Sequence, residues 1–195
     1  MIEITSRHFR IAVTGHRLIS VNEKLSYSIR SVLDWMIHEH ANIEIQLFSA
    51  LAEGSDQLVA QIALSYPGIK LIVPLPLAEE QYLQGFASDI GRKSFYELTQ
   101  SAEKVFILPA QVDHPTAYEY LGNYLLDHCD VLIAIWNGVY SLKKGGTGEV
   151  VNKALQMGKL IYWIYTDNEN AGEIARKNFQ KNQGDITILG DSADL

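Results

Sequence analysis

The sequence contains a single cysteine, Cys129, so no disulfide bond can form within the chain. Cys129 directly precedes an apolar run, which favours a packing role over a nucleophilic one. No apolar stretch approaches the roughly 20 residues that a membrane span requires. Residues 1–10, MIEITSRHFR, also lack the apolar core of a secretory signal peptide. We therefore expect a cytoplasmic protein that does not contact a membrane.

Basic residues are also scarce. The chain has 16 lysines and arginines against 23 acidic residues, which gives a formal net charge of −7. Non-specific nucleic-acid binding needs clustered basic side chains, so we expect no nucleic-acid partner. The histidines are scattered, and His38 and His40 would point to different faces of a helix. We therefore expect no metal site and no bound cofactor.

Three common catalytic or nucleotide-binding motifs are missing. The chain has neither the G-x-G-x-x-G turn of dinucleotide-binding enzymes nor the G-x-x-x-x-G-K-[ST] phosphate loop. It also lacks the G-x-S-x-G elbow that carries the serine of α/β-hydrolases. These absences argue against the NAD enzymes, the P-loop enzymes and the serine hydrolases.

Six short apolar runs are nearly continuous, as is typical of strands buried on both faces of a parallel sheet. Helical patterns lie between them, and such alternation indicates βαβ units. We predict an α/β fold in one domain over residues 1–195. It is a three-layer, Rossmann-like, doubly wound and mainly parallel sheet of about six to seven strands with helices on both faces. The runs are RIAVT (10–14), IQLFS (45–49), KLIVPL (70–75), KVFILP (104–109), DVLIAIW (130–136) and KLIYWIY (159–165), with ITIL (186–189) as a final edge strand.

Local signals predict where several helices begin. The segments SVNE (20–23) and TAYE (116–119) have the spacing of capping boxes, so each predicts a helix start. A last helix is predicted over residues 170–179. Residues 77–91 are polar and irregular, which favours a lid or a surface excursion.

Three loops at predicted strand ends combine glycine with polar side chains. They are TGHR (14–17), SALAEGSDQ (49–57) and WNGVYSLKKGGTGE (136–149). Because ligands of such sheets bind beyond the carboxyl ends of the strands, we expect the loops to form one nucleotide-binding site. Its candidate residues are Thr14, Gly15, His16, Arg17, Ala52, Glu53, Gly54, Asp56, Trp136, Gly138, Gly145, Gly146, Thr147 and Glu149.

The phosphate is expected at the GGT segment (145–147). Glycines let the backbone approach a phosphate, and the start of a helix offers free N–H groups and a partial positive charge. Arg17 is expected to pair with the same phosphate through its guanidinium group. Taken alone, the glycines fit a simple turn better than a phosphate site, and Arg17 fits a surface position better than a ligand contact.

The ribose and the base have candidates of their own. Glu149, with either Glu53 or Asp56, is expected to accept hydrogen bonds from ribose hydroxyls. Trp136 or Tyr140 is expected to stack on a base. Each residue also has a structural explanation, since the carboxylates suit helix starts and a tryptophan is usually part of a core.

Taken together, four ordered motifs resemble the SLOG superfamily. These are RIAVTGHR, ALAEGSDQLVAQIAL, CDVLIAIWNG, and KKGGTGEVVNKAL followed by GKLIYWI. The superfamily contains the LOG cytokinin-activating enzymes, the DprA-type DNA-processing proteins and domains that sense nucleotide-derived ligands. The similarity covers roughly residues 10–165, with small bacterial members that have a GHR-type first loop the most similar. It implies a nucleotide or ADP-ribose-like ligand, and it leaves a homo-oligomer through residues 117–128 as an option.

The resemblance to the LOG enzymes themselves is incomplete. Their signature is P-G-G-x-G-T-x-x-E with an Arg-Lys pair one helix earlier, whereas no proline precedes Gly145 here. Residues 117–126 contain neither arginine nor lysine. We therefore expect a nucleotide sensor or binding protein. The alternative is a nucleoside 5′-monophosphate phosphoribohydrolase in which Glu149 acts at the glycosidic carbon.

Overall fold

The computed structural model describes residues 8–110, 112–140, 144–167 and 181–190. These residues form one seven-stranded sheet in the order β4-β3-β2-β1-β5-β6-β7. Every neighbouring pair is parallel except β6 and β7, which are antiparallel. The predicted α/β sheet and its final edge strand are thus confirmed. The strands are β1 (His8–Gly15), β2 (Glu44–Phe48), β3 (Ile69–Leu75), β4 (Lys104–Ile107), β5 (Val131–Trp136), β6 (Leu160–Tyr165) and β7 (Ile186–Leu189).

The helices lie in two layers that enclose the sheet. Right-handed crossovers that run outward from β1 place their helices on one face, and those that run through β5 to β6 use the other. Accordingly, α1 packs against α2 and α2 against α4, whereas α5 packs against α6. The helices are α1 (Glu23–Glu39), α2 (Ser55–Ala63), α3 (Glu79–Leu83), α4 (Asp89–Gln100), α5 (His114–His128) and α6 (Thr147–Gln156).

The central strands form the core because both of their faces are covered. All six residues of β5 are buried, and Ile11, Ala12 and Val13 of the neighbouring β1 are at most 1% exposed. This is why the sequence has continuous apolar runs instead of alternation. The core fixes β1 and β5 side by side, and with them the positions of their carboxyl ends.

Two helices begin at residues other than those the capping boxes predict. Helix α1 is capped by Asn22, whose Oδ1 accepts the Leu25 N–H at 2.8 Å, so Ser20 lies outside the helix. Helix α5 is capped by Asp113, which accepts the Thr116 N–H at 2.8 Å. Both capping predictions are wrong for one reason: an Asn or Asp in the neighbouring sequence competes at least as well for the cap position.

Residues 77–91, predicted as an irregular lid or surface excursion, are more regular than the sequence pattern indicates. This segment forms α3 and the first residues of α4, and it buries Tyr82 and Phe86 to 1% and 3% exposure. Their aromatic rings anchor the segment to the core, although its other residues are largely polar. The helix predicted over residues 170–179 lies outside the described residues. Among the helices in the described ranges, none is both long enough and apolar enough to cross a bilayer.

Candidate functional site

A pocket of about 80 Å³ lies where the direction of winding reverses, between β1 and β5. The chain runs outward from β1 on one side and through β5 to β6 on the other, so the loops that follow these strands diverge. Thr14 pairs with Ala134 and Gly15 with Ile135 at the end of the β1–β5 ladder. The pocket is lined by Val13, Thr14, Gly15, Arg17, Ala50, Ala52, Asp56, Tyr82, Tyr118, Leu121, Gly122, Leu125, Gly145, Thr147 and Val150.

The first wall is the loop after β1, which packs tightly against the start of α2. Both the N–H and the Oγ of Ser55 donate to the carbonyl oxygen of His16, at 3.1 and 2.8 Å. Gly54 has a φ of +89°, and a Cβ at this position would overlap the Arg17 carbonyl group. Glycine is therefore needed here to bring the two loops together.

The second wall is the loop that precedes α6. Gly145 has a φ of +67°, and a Cβ there would overlap Tyr118 on α5. The Gly145 N–H donates to Glu149 Oε2 at 2.5 Å, and Glu149 also pairs with Lys153 at 3.0 Å. The Glu149 carboxylate thus holds the glycine loop against the first turn of α6.

The starts of α2 and α6 differ from those of the other long helices described. Side chains of Asn22, Ser88 and Asp113 cap α1, α4 and α5. Gly54 and Gly146 stand at the corresponding positions of α2 and α6, and neither helix has a side-chain cap. Two helix N-termini with no side-chain acceptor therefore begin at the pocket. Such ends favour an anion.

A buried carboxyl group forms part of the pocket. Asp56 is 7% exposed, and removal from water raises its pKa to about 7. A hydrogen bond from the Ala52 backbone and the positive charge of Arg17 act in the opposite direction without cancelling the effect of burial. At neutral pH this group is therefore divided between its neutral and ionised forms.

Tyr82 lies beside this carboxyl group. It is 1% exposed, and its hydroxyl is buried without a hydrogen-bond partner in the described part of the chain. Burial raises the pKa of the Tyr82 phenol well above its usual value, and the negative charge of Asp56 raises it further. The ring centroid lies 5.4 Å from that of Phe86, 6.1 Å from that of Phe95 and 6.2 Å from that of Tyr118. These aromatic contacts fix the ring and leave the hydroxyl available to a ligand.

Arg17 supplies the positive charge on the pocket lining. Its Nη1 donates to the Gly85 carbonyl oxygen at 3.3 Å, and its guanidinium carbon lies 5.3 Å from the centre of the Tyr118 ring. Tyr118 also hydrogen-bonds the guanidinium group, and the residue as a whole is exposed. Arg17 is thus positioned both to meet an entering anion and to hold the loop that follows α3.

The structure brings half of the fourteen predicted residues onto the pocket lining. These are Thr14, Gly15, Arg17, Ala52, Asp56, Gly145 and Thr147. Gly54, Gly146 and Glu149 build the adjoining loops and helix starts. The other four are not on the lining: His16, Glu53, Trp136 and Gly138.

Three of those four side chains have structural partners. The Asn137 N–H donates to His16 Nε2 at 3.1 Å, and burial lowers the pKa of His16, so this imidazole is neutral. Glu53 accepts the N–H groups of Ala87 and Ser88 at 2.7 and 3.1 Å, just before α4. Trp136 is 1% exposed and packs in the core rather than presenting a stacking face.

Two aromatic residues of the lining are missing from the predicted set. Tyr82 lies in the polar segment 77–91, which the sequence pattern assigns to the surface. Tyr118 belongs to the apolar side of α5, where Leu121 and Leu125 follow at helical spacing. The one signal in the sequence for such a site residue is a tyrosine within a polar segment. If its ring is buried, its hydroxyl requires a hydrogen-bond partner.

The described residues contain no group of three or more His, Cys, Asp or Glu side chains placed to hold a metal ion. No family model matches the chain, and no curated protein matches it. Among solved structures, the X-ray structure of the structural genomics target TM1055 is similar, with 17% identity and a TM-score of 0.43. The alignment covers 77% of this chain and 71% of that one. A likeness at this level carries no information on function.

Proposed function

We propose that the chain binds a nucleotide or a nucleotide-derived, ADP-ribose-like ligand at the carboxyl ends of β1 and β5, as a sensor or binding protein. The observation that carries this proposal is the meeting of two helix starts, each without a side-chain cap, at one pocket. The partial positive charge of such starts suits a phosphate, and the start of α6 is the one that receives it, because the buried carboxyl group of Asp56 lies in the first turn of α2. Arg17 adds a full positive charge in a chain whose net charge is −7.

The volume of the pocket limits how much of the ligand can enter it. A whole drug-sized ligand occupies roughly 300–1,000 Å³, whereas this pocket measures about 80 Å³. A whole nucleotide therefore does not fit, and the phosphorylated sugar is the part that we place at the pocket. The base is proposed to lie outside it, with Tyr140 as its stacking partner, because this ring is 57% exposed and lies edge-on to Trp136. Tyr140 thus takes the stacking role for which Trp136 is too deeply buried.

A thermal-shift screen tests the proposal. The panel is AMP, ADP, ATP, NAD, ADP-ribose, cyclic ADP-ribose and the guanine counterparts, each followed by chromatography of the mixture. We expect at least one ligand to raise the melting temperature and to be recovered intact. A ligand present at 100 times its dissociation constant stabilises the folded state by about 2.7 kcal/mol. If no member of the panel raises the melting temperature, the proposed ligand class is wrong.

Arg17→Ala identifies the pocket as the place of binding. The substitution should weaken the binding of phosphorylated ligands far more than the binding of the matching nucleosides, because the lost contact is to the phosphate. Arg30→Ala is the matched control, since Arg30 lies on α1 and contacts Ser65 away from the pocket. Equal losses for nucleotides and nucleosides would remove Arg17 from the proposed phosphate site.

Hydrolysis of the N-glycosidic bond is the second candidate, and the buried Asp56 favours it. Water would add to C1′ as the C1′–N bond breaks, and the departing base would take a proton. A carboxyl group with a pKa of about 7 is suited to that proton transfer at neutral pH. Glu149 is less suited because its carboxylate holds the Gly145 N–H and Lys153. The panel distinguishes the two functions: free base should appear with the parent protein and not with Asp56→Asn.

A further inference from the structure

Asp56 and Tyr82 form a pair of buried polar groups in the pocket, and only the Asp56 carboxyl has a hydrogen bond within the described residues, from the Ala52 backbone. They lie close enough for the charge of Asp56 to act on the Tyr82 phenol, and both line the pocket. The Tyr82 hydroxyl has no partner among the residues that the structure describes. Buried polar groups are nearly always hydrogen-bonded in native proteins, so the Tyr82 hydroxyl calls for a partner beyond the described residues, and a ligand in the pocket can supply it.

The chemistry of the pair defines that partner. A carboxyl group in its ionised form accepts hydrogen bonds and repels a phosphate, whereas a phenol both donates and accepts. The ligand group that contacts both therefore carries hydroxyl donors and no negative charge. The phosphate of the same ligand belongs at the other polar part of the lining, where Thr147 opens α6.

We propose that Asp56 and Tyr82 recognise the 2,3-diol of a ribose whose 5-phosphate lies at the start of α6. Asp56 accepts hydrogen bonds from the two neighbouring hydroxyls, and Tyr82 pairs with one of them. This inference rests on the proposed nucleotide-derived ligand and specifies which part of it enters the pocket. It makes Tyr82 a residue that determines sugar specificity, and ribose is preferred over deoxyribose.

The apolar part of the lining agrees with a sugar as the group between these two ends. Val13, Leu121, Leu125 and Val150 contribute aliphatic surface, and the charged side chains of the lining are those of Arg17 and Asp56. Such surface packs against the C–H face of a furanose ring. A pocket of about 80 Å³ is far smaller than those that hold a whole drug-sized ligand, so the base is not placed inside it.

Isothermal titration with ribose 5-phosphate, 2-deoxyribose 5-phosphate and inorganic phosphate tests this inference on the full chain. We expect ribose 5-phosphate to bind roughly tenfold more tightly than its 2-deoxy analogue, the effect of one hydrogen bond to a charged group. Tyr82→Phe should weaken the binding of ribose 5-phosphate about fivefold. The ratio of the affinities for ribose 5-phosphate and its 2-deoxy analogue should then be smaller than in the parent protein.

Tyr162→Phe is the matched control. Tyr162 on β6 also has a buried hydroxyl without a partner in the described residues, and it is not part of the pocket lining. Neither substitution removes a hydrogen bond within the described ranges, so both variants should melt at or above the parent temperature, and Tyr162→Phe should bind like the parent. A loss caused by general damage to the fold would appear in both variants.

The outcomes separate this inference from the proposed function. The inference is overturned if nucleotides of the panel bind but the two sugar phosphates bind with equal affinity. It is also overturned if nucleotides bind and inorganic phosphate is the only one of the three smaller ligands that does, because in both cases the protein does not recognise the diol. Equal behaviour of Tyr82→Phe and Tyr162→Phe would also overturn it. If neither the panel nor any sugar phosphate binds, the proposed function fails together with it.

Discussion

Replacing Asp56 by asparagine should change how the stability of the protein depends on pH. The carboxyl group has a pKa of about 7 in the folded chain, against the ordinary aspartate value of 3.8 that applies to the unfolded chain. Below the lower value it is neutral in both states and burial costs little. As the pH rises between the two values, the unfolded chain ionises while the folded chain keeps its proton. Stability is therefore lost over that interval.

The size of the effect follows from the interval. Each unit of pKa difference corresponds to about 1.4 kcal/mol, so the parent protein carries a penalty of about 4 kcal/mol above pH 7. Asparagine has nearly the same shape and does not ionise, so it avoids this penalty. The gain from Asp56→Asn should grow by about 1.4 kcal/mol per unit between pH 5 and 7 and then level off.

Urea unfolding of both proteins at pH 5, 6, 7 and 8 measures this gain. Other groups whose pKa changes on folding, such as His16, contribute to both proteins and cancel in the difference. Asp127→Asn removes an exposed carboxylate from α5 and serves as the control. A gain for Asp56→Asn that stays constant from pH 5 to 8 would refute the reasoning, because it would mean that burial does not oppose ionisation of Asp56.

Three further predictions concern the surroundings of the pocket. In urea unfolding, Gly145→Ala should cost roughly 3 kcal/mol and Gly158→Ala about 1 kcal/mol, because φ is +67° at both but only Gly158 has open space around it. Glu53→Ala should lower the free energy of unfolding by about 1–2 kcal/mol, because it removes the hydrogen bonds just before α4. Glu97→Ala, which removes an exposed ion pair, should lower it by less than about 0.5 kcal/mol. Burial raises the pKa of Cys129 to about 11, so iodoacetamide at pH 8 should modify this thiol only after unfolding, as measured by mass spectrometry.

The arrangement of the strands could be predicted because one physical cause dominates it. A strand covered on both faces must be apolar throughout, and β5 meets this requirement at every position. The helix starts could not be predicted as reliably. Asn22 and Asp113 compete for cap positions with the Ser and Thr of nearby capping boxes, and the choice depends on where the preceding chain leaves the core.

Residues of the candidate site could be predicted where the course of the backbone determines their position. They could not be predicted where side-chain packing determines it. The loops that follow β1 and β2 must meet at one edge of a parallel sheet, so Arg17 and Asp56 could be placed together in advance. Tyr82 could not, because its burial depends on contacts with Phe86 and Phe95 across α3 and α4. Glu53 shows the same limit, since the groups it binds are separated from it by 34 and 35 positions in sequence.

The pocket also has a consequence for how the chain can be divided. Its residues from Val13 to Tyr82 belong to the segment that ends with β4, and those from Tyr118 to Val150 belong to the segment that begins with α5. In the sheet, the two segments are joined through the β1–β5 ladder. No continuous fragment on either side of residue 110 contains the whole lining. A chain cut at that point would regain the pocket only when its two pieces associate again along β1 and β5.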